Sequence, residues 1–337
     1  MSKHTTICAG SDTSKHNLDV ALVGGSFELQ VENTAAGHQG LSATLRQQGV
    51  ERIGIEASGG YEAAVVAQLR RDGFVVVVFQ PAQVRAYATF LLQRAKNDKI
   101  DAALIATCTA ATKTIHAAPD PRMAAFAAHL TLIEQLGEDI ARCKTRRETC
   151  HGEARIRELW SAEIARRKGL LRAEFKALVA ALRSHRDLAE RLDLIDSVDG
   201  VGLPTAGAIL VRMPEIGRLT RGQAAALVGV APYDDDSGNY VGIRHIAGGR
   251  QRLRGALYAA ALPAAFRWNA ALAALYRRLI AAGKPHKVAL VACARKLIIY
   301  VNTVVERGTP WTSPARPRQV DAPRRQPDRL AGAERAH

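Results

Sequence analysis

Four carboxylates in the first third of this 337-residue chain fall where they could hold divalent metal. Asp12 ends a strand-like run, in Ala9-Gly10-Ser11-Asp12-Thr13-Ser14-Lys15, and Glu56 ends the apolar run Arg52–Glu56. Asp98 and Asp101, in Lys96-Asn97-Asp98-Lys99-Ile100-Asp101-Ala102, are three apart, a spacing that sets both on one face of a helix. Carboxylates gathered at neighbouring strand ends repel one another unless a cation neutralises them. Hard oxygen ligands select Mg²⁺ or Mn²⁺, and two such ions roughly 4 Å apart clamp the attacking and leaving oxygens of a phosphodiester. Each acid also has a structural role open to it. Asp12 could cap a turn, Asp98 could cap a helix, and Asp101 could pair with Lys99 or Arg94. Glu56 is hardest to assign to structure, because a lone charge following Ile53–Ile55 is costly to bury. Spacing alone leaves both readings open.

A second constellation is Ser237-Gly238 in the loop Ala231–Tyr240, followed by Arg244, Arg250, Arg252 and Arg254. It sets a hydroxyl beside cations suited to phosphate, although a polar turn ahead of a basic helix would carry the same residues. A third is Val198-Asp199-Gly200-Val201-Gly202 ahead of the small-residue run Thr205–Leu210. This is a helix-hairpin-helix pattern, in which amides near Gly200 and Gly202 can bind a backbone phosphate without reading sequence. A tight helix-helix turn with no ligand is the plainer alternative. Cys143, Cys150 and His151 could share a helix face as metal ligands, but cysteines on helices are more often small core residues.

The elements that must position these residues follow from pattern. Strands are expected over Thr5–Asp12, Leu18–Val23 and Phe27–Glu32, with Gly24-Gly25 as the turn between the last two. A helix over 38–48, the strand Arg52–Glu56 and a helix to about Arg71 come next. The run Phe74–Phe79 lacks alternation and predicts a strand buried on both faces. Helices resume by Val84 and from Asp98 to Ala111. The order β-β-β-α-β-α-β-α predicts a mixed sheet of ribonuclease-H-like topology. Residues 122–195 read as two long amphipathic helices, with Leu130, Ile133, Leu136 and Ile140 on one stripe and Ile156, Leu159 and Ile164 opening another. Such a pair suits a coiled-coil spacer or a dimer interface. The last residues, rich in proline and arginine, predict a disordered basic tail.

Charge is distributed unevenly. The net charge of +15 is absent from residues 1–110, which hold ten basic and ten acidic side chains, and is concentrated in residues 201–308, which hold fifteen and five. A neutral front and a basic back suit chemistry in one part and polyanion binding in the other. With 47% hydrophobic residues the chain can build a core, so disorder throughout and collagen-like structure are excluded. No run reaches the ~18 uninterrupted apolar residues of a membrane span, and no apolar signal core follows Met1. Five cysteines without a Cys-x-x-Cys argue against a disulfide framework or a structural zinc site. A cytoplasmic, nucleoid-associated protein without a membrane partner is expected.

Taken in order, Ser11–Lys15, Ile55–Gly59, Asn97–Ala102, Val198–Gly202, Ser237-Gly238 and Gly248–Tyr258, with Ala282–Pro285 and Arg295–Leu297, resemble the DEDD-type insertion-sequence transposases. That group includes the pilin-gene invertases and bridge-RNA-guided recombinases. The resemblance runs from about Ile7 to Trp311. It implies a RuvC-like catalytic domain over 1–115 with Asp12, Glu56, Asp98 and Asp101 as a Mg²⁺- or Mn²⁺-binding tetrad, and a helical coiled-coil spacer over 116–192. It further implies a mainly α transposase domain over 193–308 whose nucleophile is Ser237, and a tail over 309–337. In this family the two sites meet across subunits, so a dimer or tetramer is implied, together with DNA ends, a DNA target and an element-encoded guide RNA. The guide rests on the resemblance alone, since charge does not separate RNA from DNA. Two other functions compete: a RuvC-like Holliday-junction endonuclease using only the acids, and a nucleic-acid-binding scaffold without catalysis. An actin-like kinase also begins with a strand and an Asp, but needs a second, similarly built domain that the sequence lacks.

Overall fold

The computed structural model describes residues 6–24, 27–93, 98–113, 120–238 and 240–312, without the side chains of Asp98 and Lys99. The chain divides into two units, Met1–Ala118 and Pro119–His337. The expected tail lies outside the described residues from 313 onward.

The first unit runs β1 (Cys8–Thr13), β2 (Asn17–Leu22), β3 (Glu28–Glu32), α1 (Ala35–Gln47), β4 (Arg52–Glu56), α2 (Ala63–Arg71), β5 (Val75–Phe79), α3 (Pro81–Phe90) and α4 (Asp98–Ala111). Its sheet has the order β3-β2-β1-β4-β5. The first three strands form an antiparallel meander, and β1, β4 and β5 are parallel. Alternation gives the sheet two different faces. Leu18, Val20, Ile53 and Ile55 point one way and pack with Leu41 and Leu45 of α1 and Val65 and Leu69 of α2. Each such buried side chain contributes about 1.5–3 kcal/mol. On the other face Phe79 packs with Val84 of α3 and with Leu104, Ile105 and Cys108 of α4. The strand expected to be buried on both faces is the sheet's edge, where Val75 and Val78 remain 40% and 36% exposed. Both of its faces are nonetheless packed, Val76 with the α1 and α2 layer and Phe79 beneath α3 and α4, and it is the missing strand neighbour that leaves Val75 and Val78 open.

In the second unit α5 (Arg122–Thr149) and α6 (Ala154–Arg183) form a helical hairpin, antiparallel because His129 pairs with Glu174 and Asp139 with Arg167. Then come α7 (Arg186–Asp196), α8 (Leu203–Arg212), α9 (Arg221–Val228), the short strands β6 (Pro232–Tyr233) and β7 (His245–Ile246), α10 (Gln251–Pro263), a π-helical turn (Ala264–Trp268), α11 (Ala270–Ala281) and α12 (His286–Arg307). Met123, Phe126, Leu130 and Ile133 of α5 join Leu178 and Leu182 of α6 in one core with α7 to α12. The far part of the hairpin closes on its own small cluster of Ile140, Cys143 and Ile164. Helix α12 is long and apolar enough to cross a membrane by composition, with mean hydropathy 1.8, but half of that window is buried in this core.

Candidate active site

Two glycines position the acids. Gly10 of β1 and Gly54 of β4 are register partners, and α4 crosses directly over the pair. A Cβ on Gly10 would sit 2.1 Å from the amide nitrogen of Ala106 and 2.3 Å from the carbonyl oxygen of Ala102. One on Gly54 would sit 1.9 Å from Thr109 Oγ1. The last turn of α4 is held by Arg52, whose Nη1 donates to the Thr112 carbonyl at 3.0 Å, a cation placed against the helix's negative end. Because side chains alternate, Asp12 and Glu56 point to the same face as Gly10 and Gly54, the face α4 covers. They extend the parallel register one step beyond Ser11 and Ile55, so they are neighbours at the ends of adjacent strands. Asp98 and Asp101 lie in the first turn of α4, which runs along that face. The Asp98 side chain is outside the described residues. Among the described residues no three His, Cys, Asp or Glu side chains converge as a metal site, and this holds for Asp12, Glu56 and Asp101 as it does for Cys143, Cys150 and His151.

The same register reveals an acid the sequence reading overlooked. Asp19 of β2 is the antiparallel partner of Asp12 and shares its face. It is buried and accepts from Gln30 Nε2 at 2.8 Å, beside a cavity of about 110 Å³ that reaches Ala102 of α4. Counting register across the tight turn after Asp12 would have found it. Asn33 was also overlooked. Its Nδ2 donates to the carbonyls of Ser14 (2.9 Å) and Tyr61 (3.1 Å), tying the loop after Asp12 to the loop after Glu56. The latter loop is organised by Glu62, which accepts from Ser58 N, Ser58 Oγ and Gly60 N at 2.9–3.1 Å. Burial pushes its carboxyl up, but these donors outweigh burial and hold it below the ordinary 4.5.

Ser237 sits on a β-ribbon rather than in an irregular loop. Its amide donates to the Tyr240 carbonyl at 3.0 Å, and the Tyr240 amide returns the bond at 2.9 Å, with Gly238 at φ +54° between them. The serine is exposed. Below it, Arg244 binds Asp234 at 2.8 Å and Asp236 at 2.7 Å, while Asp236 also accepts from the Gly242 amide. Asp234 and Asp236 therefore brace the ribbon. At its base the chain enters past Gly229 and leaves past Gly248 and Gly249, packed so closely that a Cβ on Gly249 would lie 2.2 Å from the Gly229 nitrogen. Arg254 donates to the Gly248 carbonyl at 2.8 Å and the Gly229 carbonyl at 3.3 Å, fastening the two ends.

The other residues expected at phosphate also have structural partners. Arg250 pairs with Glu215 at 2.7 Å and Arg252 with Glu134 at 2.7 Å. Gly200, at φ +96°, lies where a Cβ would meet the Ala264 Cβ at 2.2 Å, and Gly202 caps α8. A short turn joins α7 to α8, and packing alone accounts for Gly200.

Residues 9–150 match the model of the IS110-type DEDD transposases, and residues 192–277 match that of the IS116/IS110/IS902 transposase family. No protein of curated function matches the chain.

Proposed function

Because the chain belongs to the IS110-type family of DEDD transposases, we propose that it cuts and rejoins DNA strands with Ser237 as nucleophile and Asp12, Glu56, Asp98 and Asp101 as its acidic tetrad. The observation that carries this reading is the Gly10–Gly54 pair, which lets α4 lie on the face where Asp12 and Glu56 end adjacent strands. The sheet order fits a ribonuclease-H-like, RuvC-like domain. The donor set, hard carboxylate oxygens throughout, fits Mg²⁺ or Mn²⁺, and when bound such ions stabilise the charge that builds at phosphorus. Ser237 Oγ attacks a DNA phosphate, the displaced sugar oxygen leaves as a hydroxyl with the serine proton, and a phosphoserine bond conserves the energy of the broken linkage. A sugar hydroxyl of the partner strand then attacks the phosphoserine and releases the serine. The braced ribbon supports this role: it holds an exposed hydroxyl on a frame fixed by Arg244 and Arg254. An element-encoded guide RNA and a second copy of the chain complete the proposal by family kinship.

The test is a denaturing gel with labelled element-end DNA, Mg²⁺ and RNA transcribed from the flanking DNA. Wild type is expected to give a protein-linked DNA band that Ser237→Ala and Asp12→Asn both abolish. Free cleaved DNA that persists in Ser237→Ala would overturn the serine mechanism in favour of hydrolysis by the acids alone.

A further inference from the structure

A cavity of about 360 Å³ opens in the second unit between the start of α9, the later turns of α12 and the segment that follows α12. Its size lies within the roughly 300–1,000 Å³ of small-ligand sites. Three cations line it: Arg221, Lys296 and Arg307. Two rings line it as well, Tyr300 and Trp311, with centroids 4.7 Å apart and planes tilted by 40°. Lys296 Nζ lies 5.4 Å from the centre of the Tyr300 ring. Trp311 is fixed from behind, its amide donating to Ser197 Oγ at 2.9 Å and its Nε1 to Asp199 at 3.2 Å. Both acceptors belong to the turn between α7 and α8.

The charge state of this cavity differs from that of the arginines singled out by sequence. Arg244, Arg250 and Arg252 each have an acidic partner. Among the described residues, no ion pair engages Arg221, Lys296 or Arg307. Three like charges around one hollow favour an anionic occupant. The residues beyond 312 are a poor one, since 309–337 hold six arginines against three acids. Cations and aromatic rings lining one hollow are the chemistry that takes a phosphate together with an unpaired base.

Resting on the reading that this chain handles nucleic acid, we propose that the cavity binds one nucleotide of a single-stranded segment. The phosphates flanking that nucleotide lie along Arg221, Lys296 and Arg307, which are spread over the length of the hollow, and the base lies against Tyr300 and Trp311. RNA and displaced DNA share this chemistry, and a base held in a duplex stack cannot enter.

The test measures binding of short labelled oligothymidylate, oligouridylate and a blunt duplex to the full chain by anisotropy across a salt series. Arg221→Glu combined with Arg307→Glu is compared with Arg155→Glu combined with Arg157→Glu, which makes the same charge change on α6. The cavity variant is expected to lose about tenfold or more in single-strand affinity, with a shallower salt slope, and to lose less on duplex. Preference for the uridylate strand assigns the site to RNA, and preference for the thymidylate strand assigns it to DNA. Wild-type protein irradiated with a 5-iodouridine strand is expected to cross-link at Tyr300 or Trp311, a readout that needs no variant to fold. Single-strand binding equal to wild type in the cavity variant, equal losses in the two variants, or cross-links only elsewhere would overturn the site while leaving nucleic-acid binding intact. Failure of wild type to bind any of the three probes would instead defeat the wider reading.

Discussion

At the scale of single residues, the proposed site depends on side chains that are missing as much as on those present. Gly10→Ala must push α4 off the sheet, because the new methyl would meet helix backbone rather than a mobile side chain. Overpacking of this kind costs about 1–3 kcal/mol. Since α4 carries Asp98 and Asp101, strand transfer is expected to fall further than the stability loss explains. Gly40→Ala is the control, in α1 with nothing near its would-be Cβ, and it should stabilise by about 0.5–1 kcal/mol. Urea denaturation beside the gel assay checks both. Equal activity of Gly10→Ala and wild type would remove the helix-positioning argument. Asp12 and Glu56 were legible as acids ending strands, because strand ends can be read from apolar runs. Asp19 was legible only by counting register across the turn after Asp12, and Asn33 not at all, because its cross-loop bonds follow no local pattern.

At the scale of elements, local patterning was a good guide wherever one residue set faced one neighbour. The strands β1 to β5 and the stripe Leu130–Ile140 came out as expected, while β5 went to the edge because an apolar run does not say how many neighbours a strand has. The serine ribbon was illegible as a ribbon, since its two-residue strands are held by Arg244 and Arg254 rather than by an apolar pattern. The loop from Ser58 to Glu62 behaves similarly, and its stability is tied to pH. Glu62 titrates below 4.5 when folded, so its contribution is fully present above that value and is lost as pH falls through the lowered folded pKa. Glu62→Gln is expected to cost about 1–3 kcal/mol at neutral pH, and the gap to wild type should close below pH 4.5. Urea midpoints measured across that range test the sign, and a gap that widens on acidification would refute it.

At the scale of the whole molecule, net charge proved a coarser guide than pairing. The basic excess of residues 201–308 is real, yet much of its arginine braces the second unit internally, and the cations around the cavity at α12 stand apart from that bracing. The expected helical interface divides in the same way. Leu178 and Leu182 are absorbed into the unit's own core, whereas Ile156 and Leu159 near the start of α6 are 42% and 62% exposed, with Leu170 exposed on the same stripe. Helical spacing sets residues 156, 159 and 170 along one face. An apolar stripe on a charged helix is the part of this hairpin suited to pair with a second copy. Ile156→Glu combined with Leu159→Glu should therefore lower the oligomeric state by light scattering while leaving the helical content of the chain unchanged by circular dichroism, because both side chains are exposed in the single chain. On the proposed reading, in which the serine and the acids come together from two copies of the chain, the same variant should lose the protein-linked DNA band. A variant that keeps wild-type mass and forms the band would place the interface elsewhere. One that loses mass yet still forms the band would show that a single chain brings Ser237 and the acids together.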